Sequence, residues 1–159
     1  MNILISACFL GVNCKYNGLN NQIEGLEEYL KDVNFIPVCP EQLGGLTTPR
    51  QPAEIEAEDG IAVLEGKAKV MNKAGEDVTE AFVKGAVETL KLARLYHCDA
   101  AILKQRSPSC GSKEIYNGSF GGTKRKGAGV TAALLEQEGI RVYSEDNFEE
   151  LLKTLDIKK

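Results

Sequence analysis

The sequence lacks a long apolar segment, an excess of positive charge and any polar low-complexity stretch. Its 159 residues carry 19 lysines and arginines against 23 aspartates and glutamates, a formal net charge of -4. This balance offers no broad attraction to a polyanion, so we expect no duplex nucleic acid and no membrane among its partners. The apolar start, residues 1–11, has no basic leader and is too short to span a bilayer, which favours a buried strand in a cytoplasmic protein.

Histidine is nearly absent, whereas cysteine is not. The chain has one histidine, His97, and five cysteines, at Cys8, Cys14, Cys39, Cys98 and Cys110. An odd number of cysteines in a reducing compartment argues against a disulfide framework and favours metal binding or thiol chemistry. The alternative, that these cysteines are small buried hydrophobic side chains, stays open at this point.

The remaining composition is typical of a globular protein, with 43% apolar and 26% charged residues. A chain of this length can bury roughly two thirds of its unfolded surface around one core. No internal repeat or composition change marks a second domain. We therefore expect one domain over residues 1–159, present as a monomer or a weak homo-oligomer.

Hydrophobic periodicity alternates between strand and helix patterns along the chain. Strands are predicted at 2–11, 35–41, 100–105 and 140–144, and helices at 23–33, 79–97, 130–139 and 147–155. An ordered irregular loop is expected at 40–55, a small β-hairpin insertion at 60–79 and a glycine-rich basic loop at 117–129. The alternation predicts a three-layer, Rossmann-like α/β fold with a mostly parallel sheet.

Three cysteines lie where predicted strands end. Cys8 is near the end of the first strand, Cys39 near the end of the second and Cys110 in the loop after the third. Loops at the carboxyl ends of parallel strands line one crevice, so the three thiols are candidates to meet there. Three thiolates without a histidine form a soft, incomplete ligand shell, which suits zinc or an iron–sulfur cluster with one open metal corner.

Neighbouring residues extend this candidate site. Glu41 lies two residues after Cys39 and is a possible acid or base, or else an exposed strand-end glutamate. In "SPSCG", Pro108 favours an extended Ser107, and Gly111 allows a sharp turn after Cys110, so a hydroxyl and a thiol can face the same way. An ordinary strand-to-helix turn is the alternative.

The other cysteines and the histidine are less informative. Cys14 is a possible fourth ligand or resolving thiol, or a solvent-facing loop residue. Cys98 and His97 fall at the amino-terminal end of the predicted third strand, away from the crevice. We therefore expect core packing for Cys98 and no site role for His97.

Several motifs together resemble one known family. They are "ISACFLGVNCKYNG", "PVCPEQLGGLTTPRQPAEI", "EDVTEAFVKGA", "LKQRSPSCGS" and "GAGVTAALLEQEGIRVYSE", which cover nearly the whole chain. The chain is similar to the thiouracil desulfurases, within the wider domain-of-unknown-function family 523. The resemblance implies a [4Fe-4S] cluster bound by three cysteines with one open iron, and by motif position these are Cys8, Cys39 and Cys110. Cys14 matches a position that is not a cluster ligand in that family.

The resemblance also implies an activity. It is the non-redox replacement of sulfur by water on a thiolated pyrimidine such as thiouracil, giving uracil and hydrogen sulfide. The best matches to the family's assisting residues are Glu41 and Ser107, with Ser109 as a further candidate. The expected partner is a small thiolated heterocycle. A non-catalytic iron–sulfur or zinc module for sulfur carriage or sensing is the alternative function.

Overall fold

A computed structural model describes residues 1–154 of the chain. Its strands are β1 (Asn2–Ser6), β2 (Asn34–Val38), β3 (Ala53–Ile55), β4 (Val70–Asn72), β5 (Ala100–Ile102), β6 (Glu114–Tyr116), β7 (Lys124–Lys126) and β8 (Arg141–Tyr143). Its α-helices are α1 (Pro40–Leu43), α2 (Gly60–Leu64), α3 (Thr79–Leu95), α4 (Val130–Gln137) and α5 (Phe148–Thr154). Among these described residues, no helix has both the length and the apolar character needed to cross a membrane.

The central sheet is parallel, with strand order β2-β1-β5-β8. Its inner strand β1 pairs with β2 on one side and β5 on the other, so that Ile3 lies opposite both Phe35 and Ala100. Ile3, Leu4 and Ile5 are all completely buried. A strand covered on both faces needs a continuous apolar run, which is the pattern that the sequence has at this point.

The two faces of the sheet are covered by different elements. Ile3 and Ile5 pack with the Leu26–Tyr29 turn and α5, whereas Leu4 packs on the other face among residues of α3 and α4. This arrangement confirms the predicted three-layer α/β fold with a mostly parallel sheet. Two antiparallel pairs, β3 with β4 and β6 with β7, lie outside the central sheet.

The helix predicted at 23–33 is wrong. Only a short 3-10 turn forms, at Leu26–Tyr29. Gly25 precedes it with φ +86°, in the left-handed region, which stops a helix from entering from residue 23. The backbone N–H of Ile23 instead donates to the carbonyl of Phe9. A helix over 23–33 would have placed Leu30 on one apolar face with Ile23 and Leu26, but Leu30 is 52% exposed.

The segment 60–79 also differs from its prediction. It begins with α2, whose first turn is capped by the Asp59 carboxylate accepting from the N–H of Ala62, and only then forms β4. The partner of β4 is β3, within the segment 40–55 that was predicted to be an irregular loop. An antiparallel pair of strands is therefore present, but it consists of β3 and β4, and α2 lies between them in the sequence. The alternation of apolar and polar residues at 60–64 suggested a strand where a helix forms. Over so few residues, a helical turn and a strand bury similar numbers of apolar side chains, so the pattern cannot distinguish them.

Smaller differences concern the ends of the elements. The sequence pattern also offers Thr79 as the N-cap of the helix at 79–97, but α3 begins at Thr79 and Val78 is its N-cap. The Thr79 hydroxyl donates to Asp77 and accepts from the N–H of Val70. The basic loop at 117–129 contains β7, paired with β6. The helix predicted to reach Leu155 is observed to Thr154, and Leu155 lies outside the described residues.

Two glycines bring α1 against α3. A Cβ built on Gly85 would lie 2.0 Å from the carbonyl oxygen of Pro40, and one on Gly44 would lie 1.9 Å from that of Ala81. Both obstacles are backbone atoms, which cannot rotate away. The contact fixes α1, and with it the segment from Cys39 to Glu41, against the longest helix of the described chain.

We expect Gly85→Ala to lower the free energy of unfolding by about 2 kcal/mol, because the added methyl group must push α1 away from α3. Helix propensity alone predicts the opposite, a gain of about 1 kcal/mol. Chemical denaturation measures the difference. Gly121→Ala is the matched control, since its nearest obstacle is the Ser119 hydroxyl at 3.2 Å. A Gly85→Ala protein as stable as the control would contradict the assigned role of this contact.

Candidate functional site

A cavity of about 510 Å³ opens at the carboxyl ends of β1, β2 and β5. Its lining contains every residue that the sequence placed in the site, namely Cys8, Cys39, Glu41, Ser107, Ser109 and Cys110. The structure therefore brings them together. It also adds residues that the sequence did not single out: Asn21, Arg50, Glu54, Lys104, Tyr116 and Phe120.

Each of the three thiols is placed by the end of a strand. Cys8 lies in a 3-10 turn directly after β1, and Cys39 is the residue between β2 and α1. Cys110 lies in the loop after β5 and is buried in the core on one face of the sheet. This is the expected consequence of parallel strands, whose carboxyl ends share one edge.

The loop that carries Cys110 is organised by the Ser107 hydroxyl. Its oxygen accepts hydrogen bonds from the backbone N–H groups of Ser109 and Cys110, both at 3.2 Å. With both lone pairs engaged, the Ser107 hydroxyl must use its own proton as a donor, and Ser109 Oγ lies 3.1 Å away. The hydrogen bond between the two serines therefore runs from Ser107 to Ser109.

Ser109 is the serine in contact with the other site residues. Its hydroxyl oxygen lies 3.3 Å from Cys110 Sγ and donates to Glu41 Oε1 at 3.5 Å. Ser107 has no such hydrogen bond to Glu41 among those of the described chain. The sequence favoured Ser107, because it could not show that this hydroxyl is occupied by holding the loop.

Helix α4 holds the same loop from behind. The N–H of Val130 donates to the carbonyl of Pro108 at 2.8 Å, and that of Ala132 to the carbonyl of Ser109 at 3.0 Å. Gly129 allows this approach, since a Cβ there would lie 2.6 Å from the carbonyl carbon of Ser109. Backbone N–H groups in the first turn of α4 are thus hydrogen-bonded to carbonyl groups of the loop.

Gln105 fixes the other end of the loop. It is 4% exposed, and its Oε1 accepts from the backbone N–H groups of Ser112, Lys113 and Glu114 at 3.0 to 3.2 Å. Arg106, next to it, has φ +69°, a strained conformation for a residue other than glycine. Sequence reasoning missed this role, although a glutamine at the end of a buried apolar run was a visible signal.

Arg50 holds Glu41, and sequence reasoning missed it as well. Its Nε and Nη2 both contact Glu41 Oε2, at 2.6 and 2.5 Å, and the two side chains are only 8% and 14% exposed. The remaining guanidinium contacts are to the carbonyls of Cys14 and Thr47 and the hydroxyl of Thr48. Glu41 is thus a helical residue in a buried ion pair, and its interpretation as an exposed strand-end glutamate is wrong.

Cys14 is buried in the site. It is 2% exposed and lines the cavity, so a solvent-facing position is wrong. A hydrogen bond from its thiol lowers the pKa of Cys8 to about 7, with a further contribution from Asn21 and against the effect of burial. The same thiol lowers the pKa of Cys39 to about 7. Hydrogen bonding to Cys39 and Cys8, with burial, raises the pKa of Cys14, so it stays the donor.

The thiol of Cys110 behaves differently. Burial raises its pKa to about 12, although the hydrogen bond with Ser109 opposes the shift. Any metal that binds this sulfur as a thiolate must therefore displace a proton. Outside the site, Cys98 is 7% exposed in an apolar cluster, as expected, and His97 does not line the cavity.

The side chains do not form a binding site for a single metal ion. Within residues 1–154, no three histidine, cysteine, aspartate or glutamate side chains are grouped so that they could hold one ion. The three candidate ligand thiols therefore share a cavity without converging on one point.

Comparison with known proteins identifies the family. A family model described as 2-thiouracil desulfurase matches residues 3–147. The chain belongs to this family. The match includes every candidate site residue.

Two individual proteins are similar over nearly their full lengths. "Uncharacterized protein YbbK" of Bacillus subtilis (strain 168) is 48% identical over 150 residues, covering 94% of this chain and 99% of that protein. A solved structure, described as the [4Fe-4S]-dependent thiouracil desulfidase TudS, is 40% identical with a TM-score of 0.86. That alignment covers 98% of this chain and 97% of the other, so these two chains share the fold over nearly their whole lengths.

The Arg50–Glu41 pair predicts a non-additive effect on stability. Arg50→Ala should lower the free energy of unfolding by about 3 kcal/mol, because it leaves a buried carboxylate without its partner. The double variant with Glu41→Ala should cost clearly less than the sum of the two single changes. Urea denaturation of the four proteins measures this coupling. Additive costs would mean that the pair contributes nothing beyond its separate side chains.

Proposed function

We propose that this chain is a [4Fe-4S]-dependent thiouracil desulfurase, with the cluster bound by Cys8, Cys39 and Cys110 and one iron without a protein ligand. The observation that carries the proposal is the joint lining of one cavity by three thiols, a carboxylate and a serine hydroxyl. Family membership and the description of the similar solved structure support the same activity. The substrate class is a thiolated pyrimidine.

The donor set fits such a cluster. Cysteine sulfurs without histidine are the usual ligands of a [4Fe-4S] cluster, and each binds a different iron, so the thiols need not converge. Cys8 and Cys39, with pKa values of about 7, are prepared to bind as thiolates. Cys14 has one thiol proton, which it can donate to either of these sulfurs in turn, so it is placed to stabilise a thiolate and not to bind metal.

An open iron supplies a Lewis acid with affinity for the soft sulfur of a thiocarbonyl group. The overall reaction exchanges C=S and water for C=O and hydrogen sulfide, with no change in oxidation state. Both protons of the water molecule end on the sulfur of hydrogen sulfide, so the protein must pass protons from the attacking water to the departing group. No electron donor or acceptor is needed, which agrees with a site made of acid–base groups.

Glu41 and Ser109 are placed to move these protons. Arg50 occupies Glu41 Oε2, so Oε1 is the oxygen left to accept a proton from water. Ser109, whose hydroxyl contacts Glu41 Oε1, is placed to give its proton to the departing sulfur while it takes one back from the protonated Glu41 carboxyl group, and the Ser107 hydroxyl orients it through their hydrogen bond. We assign Ser109 the contact with the reacting groups and Ser107 the support of that contact.

The proposal predicts that protein purified without oxygen contains about four irons and four sulfides per chain. It further predicts sulfide release from 2- or 4-thiouracil, with uracil formed in equal amount. Sulfide assay and chromatography of the base measure both products. A fully loaded protein that releases no sulfide from either compound would overturn the activity and favour a non-catalytic iron–sulfur module.

The ligand assignment predicts different behaviour for two buried cysteines. Cys110→Ala should abolish stable cluster loading, whereas Cys98→Ala should load like the unaltered protein. Both residues lie in the same apolar cluster, so Cys98→Ala controls for the loss of a buried thiol. Iron analysis and the visible absorption spectrum give the result. Equal loading of the two variants would show that Cys110 is not a ligand.

A further inference from the structure

The cavity has an aromatic wall that the chemistry above does not use. Tyr116 is the last residue of β6 and Phe120 lies at the tip of the β6–β7 hairpin, and both line the cavity. Phe120 is half-buried. The hairpin is separate from the strands that carry the thiols, so this wall serves another purpose than holding them.

The hairpin tip is fixed by its backbone. Glu54, on β3, accepts hydrogen bonds through Oε1 from the N–H groups of Gly118 at 3.0 Å and Phe120 at 3.2 Å. Gly118 packs so closely that a Cβ would lie 2.6 Å from the carbonyl oxygen of Ile55. Arg125, on β7, also donates a hydrogen bond from Nη1 to the carbonyl oxygen of Ala57 at 2.6 Å. The backbone of the hairpin tip at Phe120 is thus held in place by these main-chain anchors.

The backbone of Phe120 is in an unfavourable conformation. Its φ is +57°, in the left-handed region that favours glycine. Gly121 and Gly122 follow directly, so a glycine at 120 would fit the turn with less strain. A bulky aromatic side chain at such a point, on a cavity wall, indicates that the ring itself has a function.

We infer that Phe120 is the stacking surface for the heterocyclic ring of the substrate, and that Glu54 is the residue that positions it. The inference rests on the proposed function, because a pyrimidine is the planar ring in question. A phenyl face offers no hydrogen bonds, so it recognises the ring plane and not the position of the sulfur. The contribution of stacking to binding should then be the same for 2-thiouracil, 4-thiouracil and uracil, and much smaller for a flexible, non-aromatic thioamide.

The absence of tryptophan from the sequence permits a direct test of binding. Phe120→Trp places the only indole of the chain on this wall, and titration of the cluster-loaded protein with uracil should quench its fluorescence to saturation. Tyr96→Trp is the control, since Tyr96 follows α3, is 46% exposed and does not line the cavity. Its fluorescence should not change. If uracil quenches neither protein, or both equally, the inference is wrong.

Steady-state kinetics provide a second measurement. Phe120→Gly removes the ring and relieves the left-handed strain, so it should fold normally and raise KM for thiouracil about ten- to a hundred-fold, with kcat changed much less. Glu54→Ala should raise KM in the same direction, whereas Glu54→Gln keeps an acceptor oxygen and should restore most of it. An unchanged KM in Phe120→Gly would overturn the inference.

The two proposals fail in distinguishable ways. Saturable quenching of Phe120→Trp by uracil, without sulfide release by the unaltered protein, would support the stacking surface and refute the desulfurase reaction. Sulfide release with an unchanged KM in Phe120→Gly would refute the stacking surface alone.

Discussion

Parallel pairing of β1 with both β2 and β5 is the constraint on which the rest of the structure depends. Because the three strands run the same way, the chain leaves the sheet three times at one edge. Residues more than thirty positions apart in sequence, such as Cys8 and Cys39, thereby become neighbours of one cavity. Burial of β1 on both faces makes this arrangement rigid, since any shift of its register would move apolar side chains out of the two cores.

The elements around this edge act as supports for a few side chains. The glycine contact between α1 and α3 fixes the helix that carries Glu41, and Arg50 then fixes the carboxylate itself. Gln105 and α4 do the same for the loop of Cys110, one through a side chain and the other through backbone amides. Acid–base groups that must meet a substrate within a fraction of an ångström need this kind of support.

Sequence reasoning found the sheet and the thiols because both leave strong local signals. Continuous apolar runs marked β1 and the strand before Cys110, and strand ends marked the cavity. It failed where the structure of a segment is decided by contacts with residues distant in the sequence. The turn at Gly25, the pairing of β3 with β4 and the burial of Cys14 all depend on partners that local periodicity does not contain. Arg50 and Gln105 escaped notice for the same reason, since their roles are defined by the backbone groups that they meet.

The contact between the N-terminus of α4 and the Ser107–Cys110 loop affects the electrostatics of the site. The positive end of the α4 dipole faces the carbonyls of Pro108 and Ser109, and the N–H groups of the same two peptide units point to the Ser107 hydroxyl. Helix, peptide groups and the two hydroxyls therefore form one polarised line, along which each bond strengthens the next. Ser109, at the end of that line, is made a better proton donor by a helix that never touches the cavity.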